Sequence, residues 1–137
     1  MNMLDTLCVI DDDPVFTFLL KKMIEKAQVT RQTLYFENGQ EAIDFLEANR
    51  EQPGTLPQLI LLDINMPILD GWQFLDEYAV LHRELARNIP IFMTSSSTDP
   101  EDYKRALASE FIIDYVRKPI YVKEIQSIVG QASVLPQ

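Results

Sequence analysis

Five short apolar runs separated by segments of helical period predict an α/β domain built on a doubly wound, five-stranded parallel sheet. The runs cover residues 7–10, 33–36, 59–62, 91–93 and 112–116. The first, third and fourth are nearly continuous in apolar character, as strands buried on both faces are. Parallel crossovers are right-handed in nearly all cases, which sends helices to both faces of the sheet.

The helices follow in order. Val15, Phe16, Leu19, Leu20, Met23, Ile24 and Ala27 draw one stripe down a first helix, which Asp13 can cap and whose first turn Pro14 fits. Ala42, Ile43 and Leu46 mark the second, and Phe74, Leu75, Tyr78 and Leu81 the third. Asp99 and Pro100 repeat the cap-then-proline start ahead of Tyr103, Ala106 and Leu107. Tyr121, Val122, Ile125, Ile128 and Val129 form the last stripe, with no good N-cap residue before it. Gln52-Pro53-Gly54-Thr55-Leu56-Pro57 reads as a loop inside the domain, and the tail after Gly130 as frayed.

At 137 residues the chain is expected to form one domain, 1–137, with a core of about 5–130 and no output domain. Acidic residues number 21 against 12 basic, a formal charge of −9, which disfavours nucleic acid and anionic membrane as partners. The lone cysteine, Cys8, reads as a buried strand thiol and suits a reducing compartment. The start, Met1-Asn2-Met3-Leu4-Asp5, lacks the basic and apolar regions of a signal peptide, so a cytoplasmic location is expected. His82 reads as a surface residue and Trp72 as packing.

Acidic residues sit where strands should stop. The first run leads into Asp11-Asp12-Asp13 and the third into Asp63. In an open parallel sheet the site lies beyond the carboxyl ends of the strands. If the first and third strands are neighbours, Asp11, Asp12 and Asp63 share one crevice. Their repulsion would be relieved by protons or by a hard divalent cation such as Mg²⁺. The fourth run leads into Thr94-Ser95-Ser96-Ser97 and the fifth into Arg117-Lys118-Pro119. A hydroxyl, an ammonium and a metal around one carboxylate can hold a phosphoryl group, with the carboxylate as nucleophile.

This combination resembles the receiver domain of two-component response regulators, of which the chemotaxis response regulator is the simplest form. The matching pieces are Val9-Ile10-Asp11-Asp12-Asp13-Pro14, Leu61-Leu62-Asp63-Ile64-Asn65-Met66-Pro67-Ile68-Leu69-Asp70-Gly71, Ile89-Pro90-Ile91-Phe92-Met93-Thr94-Ser95-Ser96, and Lys118-Pro119. The resemblance implies a flavodoxin-like (βα)5 fold with strand order 2-1-3-4-5. It implies Asp63 as phosphoacceptor and Asp12 as direct Mg²⁺ ligand, with Asp63, the backbone carbonyl of Asn65 and, through water, Asp11 completing the metal set. Lys118, Ser95 and Ser96 would bind the phosphoryl group, and a cis Lys118–Pro119 bond would aim the lysine. Ser95 and Tyr115 would form the switch, Tyr115 turning inward on phosphorylation. Gly71 would need a backbone conformation that other residues resist.

The implied function is that of a signalling switch, not a turnover enzyme. A histidine kinase or phosphotransfer protein would donate to Asp63, and the signal would pass to a downstream protein through roughly residues 99–130, where Tyr103, Tyr115 and Tyr121 offer aromatic area. A monomer or weak homodimer is expected. One departure is that Ala108-Ser109-Glu110-Phe111 stands where many receivers carry a Gly-Ala pair. Another is that Ser96 is larger than the usual alanine or glycine. Three rivals remain at this level. A phosphatase of the haloacid dehalogenase type would use the Asp-x-Asp of Asp11 and Asp13. The others are a receiver that binds partners without phosphorylation, and a flavin module of the same strand order.

Overall fold

The computed structural model describes residues 3–134. The element order is β1 (Leu4–Ile10), α1 (Pro14–Ala27), β2 (Thr30–Phe36), α2 (Gly39–Ala48), β3 (Leu59–Asp63), α3 (Gly71–Leu81), a 3-10 turn (His82–Glu84), β4 (Ile91–Ser95), α4 (Pro100–Ala108), β5 (Ile112–Arg117) and α5 (Val122–Ser133). The strands form one parallel sheet in the order β2-β1-β3-β4-β5. This is the flavodoxin-like arrangement, and β1 and β3 are indeed neighbours.

Side chains alternate across the pleat and divide the core in two. Leu7, Val9, Leu59, Leu61 and Phe92 face Leu20 and Ile24 of α1 and Ile125, Ile128 and Val129 of α5. Cys8, Ile10, Ile60, Leu62, Ile91 and Met93 face α2, α3 and α4 through Ile43, Leu46, Phe74, Tyr78 and Ala106. The strands run further than the apolar runs because their ends are polar yet paired. Thr94 and Ser95 are buried in β4, opposite Val116 and Arg117.

Several expectations are corrected. The α1 stripe is narrower than its sequence implies: Leu20, Ile24 and Ala27 are buried, whereas Val15 and Leu19 stand more than half exposed. Apolar residues at adjacent positions cover more of the helix circumference than one sheet face can bury. His82 is not a plain surface residue. Its ring packs 4.8 Å from Phe111 and 6.0 Å from Tyr78. As expected, no side chain caps the first-turn N–H groups of α5; Glu124 Oε1 instead reaches back to accept the Tyr121 N–H at 3.0 Å. The helix continues past Gly130 to Ser133 with Ala132 buried; residues 135–137 of the expected frayed tail, like Met1 and Asn2, lie outside the described residues. Before β5, Ser109 Oγ accepts the Phe111 N–H, and a register shift leaves Ile113 as an extra, exposed residue between the Ile112 and Asp114 pairings. Among the described residues no helix is long and apolar enough to cross a membrane.

Candidate functional site

The carboxyl ends of β1 and β3 bring Asp11, Asp12 and Asp63 together, each offering a carboxylate oxygen within 4.8 Å of the others. Asp11 and Asp63 are buried and Asp12 is exposed. Asp11 Oδ1 accepts the Asp13 N–H at 2.9 Å, which folds the chain sharply at the end of β1. Asp13 itself turns away: its Oδ1 accepts from the Val15 and Phe16 N–H groups, the N-cap of α1. A carboxylate spent on a helix cap is not a free acid–base group, and the Asp-x-Asp phosphatase reading loses its second member.

Lys118 enters from the end of β5. Its Nζ lies 2.7 Å from Asp11 Oδ2 and 3.3 Å from Asp63 Oδ1, and 4.1 Å from the centroid of the Phe16 ring. The backbone holds it there, since the Lys118 N–H donates to the Ser95 carbonyl at 2.9 Å. The Lys118–Pro119 peptide is cis.

The Lys118 ammonium pairs with the two buried carboxylates, Asp11 and Asp63, and burial raises both of these above the usual carboxylate range. Burial, reinforced by the charge of Asp11 and opposed by Lys118, pushes Asp63 up to about 6. Asp11 is also raised, by burial, against the hydrogen bonds of Lys118 and the Asp13 N–H. Burial alone would pull Lys118 down, but the hydrogen bonds and charges of Asp11 and Asp63 together outweigh it and hold the ammonium above its ordinary value. The site thus keeps an unrelieved excess of negative charge and oxygen donors, the donor set of a hard divalent cation.

The remaining residues sit on the loops around this crevice. Ser95 is buried at the end of β4, its Oγ accepting the Ser97 N–H at 3.0 Å; Ser96 is exposed. Tyr115 is buried, its ring turned inward, its hydroxyl donating to the Ser97 carbonyl at 3.4 Å. Asn65 stands exposed in the loop after β3. In that loop Ile68 has φ 69°, a left-handed conformation that β-branched residues resist. Gly71 is needed for a reason other than the expected one. Its φ is not positive, but a Cβ there would lie 2.4 Å from the Asp63 carbonyl oxygen and 2.9 Å from the Ile64 Cα. The loop closes where Gly71 N–H donates to the Ile64 carbonyl at 2.7 Å, so α3 starts pressed against the residue that carries the central carboxylate.

Two contacts of the site escaped the sequence reading. Phe16 appeared only as one member of the α1 stripe, and nothing in the linear spacing announces that its ring lies beneath Lys118. Trp72, expected to pack, does so only in part: the Arg105 guanidinium lies 4.2 Å from its ring centroid, joining α3 to α4.

Comparison with known proteins agrees with this architecture. The family model described as the response regulator receiver domain matches residues 7–130. An uncharacterised 14.6 kDa protein of Leptolyngbya boryana is 34% identical over 125 residues, covering 90% of this chain and 86% of that one. The crystal structure of a two-component response regulator from Cytophaga hutchinsonii superposes with a TM-score of 0.86 at 27% identity, covering 96% of this chain and 98% of that one. The receiver domain of a sensor histidine kinase from Pseudomonas aeruginosa, described with magnesium coordinated in its active-site cleft, shares the fold at a TM-score of 0.74 and 23% identity, covering 93% and 95%. With the match spanning nearly the whole sheet and every strand end that forms the crevice, the chain belongs to the response regulator receiver domain family.

Proposed function

We propose that Asp63 accepts a phosphoryl group from a phosphohistidine of a histidine kinase or phosphotransfer protein, and that the modified domain signals to a downstream protein. The observation that carries this reading is the convergence of Asp11, Asp12 and Asp63 with Lys118 at the carboxyl edge of β1, β3 and β5. An Asp63 carboxylate oxygen forms the new P–O bond as the P–N bond of the donor breaks, and the imidazole leaves with the electron pair and takes up a proton. Lys118 neutralises charge on the transferred oxygens and keeps Asp63 oriented meanwhile. Asp63 must be ionised to attack, and above its raised pKa of about 6 it is.

Asp12, Asp63 and the backbone carbonyl of Asn65, with Asp11 acting through water, would hold Mg²⁺. When bound, the cation neutralises phosphoryl oxygens that otherwise face three carboxylates. The excess of carboxylates over ammonium supports this set, and so does the magnesium described in the cleft of the Pseudomonas relative. Ser95 and Ser96 would bind the phosphoryl oxygens after transfer, and Ser95 with Tyr115 would relay the change to α4. The exposed rings of Tyr103 and Tyr121, with Leu107 and Ile113, give a downstream partner apolar area on the α4–β5–α5 side.

Fluorine NMR with beryllofluoride, a phosphoryl mimic, tests the reading. Wild type is expected to show bound fluoride resonances only when Mg²⁺ is added, and Asp63→Asn to show none. Bound resonances in Asp63→Asn would overturn it.

A further inference from the structure

The helix that leads away from Ser95 is weakly held. Of its nine residues, α4 buries only Ala106. Tyr103 touches Tyr115 edge to face, with centroids 5.7 Å apart, and Asp102 accepts the Ser97 hydroxyl at 2.7 Å. A further attachment, on the α3 side, is Arg105. This exposed residue makes none of the ion pairs found among the described residues, and its guanidinium lies over the half-buried Trp72 ring.

Trp72 is itself tightly placed. It follows Gly71, where the Asp63 carbonyl leaves no room for a Cβ and whose N–H donates to the Ile64 carbonyl. α4 is therefore tied to the crevice at two points. Its N-terminus runs back through Ser97 to Ser95, and its C-terminal turn is tied through Arg105 and Trp72 to the strand that carries Asp63.

We infer that Arg105 is a positioning residue: stacked on Trp72, it seats α4 against the inward Tyr115 ring and couples that seat to the backbone of Asp63. The inference rests on the proposed receiver function only for its consequence, the response to phosphorylation. The seat itself is a property of the free chain. A guanidinium is planar and lies flat on an indole, whereas an ammonium keeps the charge without the stacked plane, so lysine is a partial substitute.

Hydrogen–deuterium exchange of α4 amides in the free protein reads the seat directly. Arg105→Ala should raise exchange in residues 101–108 by about two- to five-fold, as loss of an exposed cation–π contact predicts, and leave α1 and α5 unchanged. Arg105→Lys should recover part of the protection. Trp72→Leu keeps apolar bulk without the ring face, and in that background Arg105→Ala should add no further exchange. In parallel, Arg105→Ala should change the beryllofluoride concentration needed for half-saturation in Mg²⁺ while still binding one mimic. Unchanged α4 exchange in Arg105→Ala overturns the inference, as does an equal effect of that substitution with and without Trp72. Loss of all beryllofluoride binding in wild type would instead overturn the proposed receiver function, and the exchange result would stand apart from it.

Discussion

Asp63 carries the tension of the site in a single side chain. Its carboxyl is raised to about 6 by burial first and by Asp11 second, so between its unfolded value near 4 and about 6 the folded chain binds a proton that the unfolded chain releases. This contribution to stability is therefore fully present below the unfolded value and is lost as pH rises through about 6. Asp11, also raised, has the same sign. In metal-free buffer, thermal melts from pH 4 to pH 7 should show wild type losing stability relative to Asp63→Asn as pH rises; parallel curves for the two proteins would contradict the assignment. Gly71 makes a purely steric prediction. Gly71→Ala would place a methyl 2.4 Å from the Asp63 carbonyl oxygen, and overpacking of this kind costs about 1–3 kcal/mol. Urea denaturation should show a lower midpoint at unchanged slope.

At the scale of elements, the helix starts carry much of the local instruction. Asp13, Asn38, Asp70 and Asp99 each accept backbone N–H groups of the helix they precede. Asp12 and Asp13 are adjacent carboxylates with different work: one faces the crevice and the other caps α1. Asp12→Ala should therefore weaken Mg²⁺ binding on the order of tenfold or more, whereas Asp13→Asn, which still caps, should change it little. Titration followed by the emission of Trp72, the single tryptophan, measures both. The elements were legible wherever a local signal existed. Cap-then-proline pairs at Asp13 and Asp99 and continuous apolar runs in β1, β3 and β4 announced themselves. The reading failed where neighbours decide. Which part of the broad α1 stripe is buried depends on how the helix leans on the sheet, and His82, one turn after Tyr78, is also packed against Phe111, which is distant in sequence.

Across the whole molecule, the sheet order turns separate sequence signals into one place. Polar residues ending apolar runs at Asp11, Asp63, Ser95 and Lys118 could be read from the chain because each breaks a local pattern. That they meet depends on β1 lying between β2 and β3, with β4 and β5 beyond. Phe16 under Lys118 and Arg105 over Trp72 break no local pattern, and only packing places them. Lys118 joins the halves of the site, and Lys118→Ala should leave the fold cooperative while reducing phosphorylation on the order of tenfold or more, as removal of a preorganised charge does.

The central claim, that Asp63 is the phosphoacceptor, is met most directly by intact-mass spectrometry after incubation with acetyl phosphate, with and without Mg²⁺. Wild type should gain one phosphoryl group in the presence of Mg²⁺, and Asp63→Asn should gain none under the same conditions. A phosphoryl group on Asp63→Asn, or none on folded wild type with Mg²⁺ present, would contradict the account.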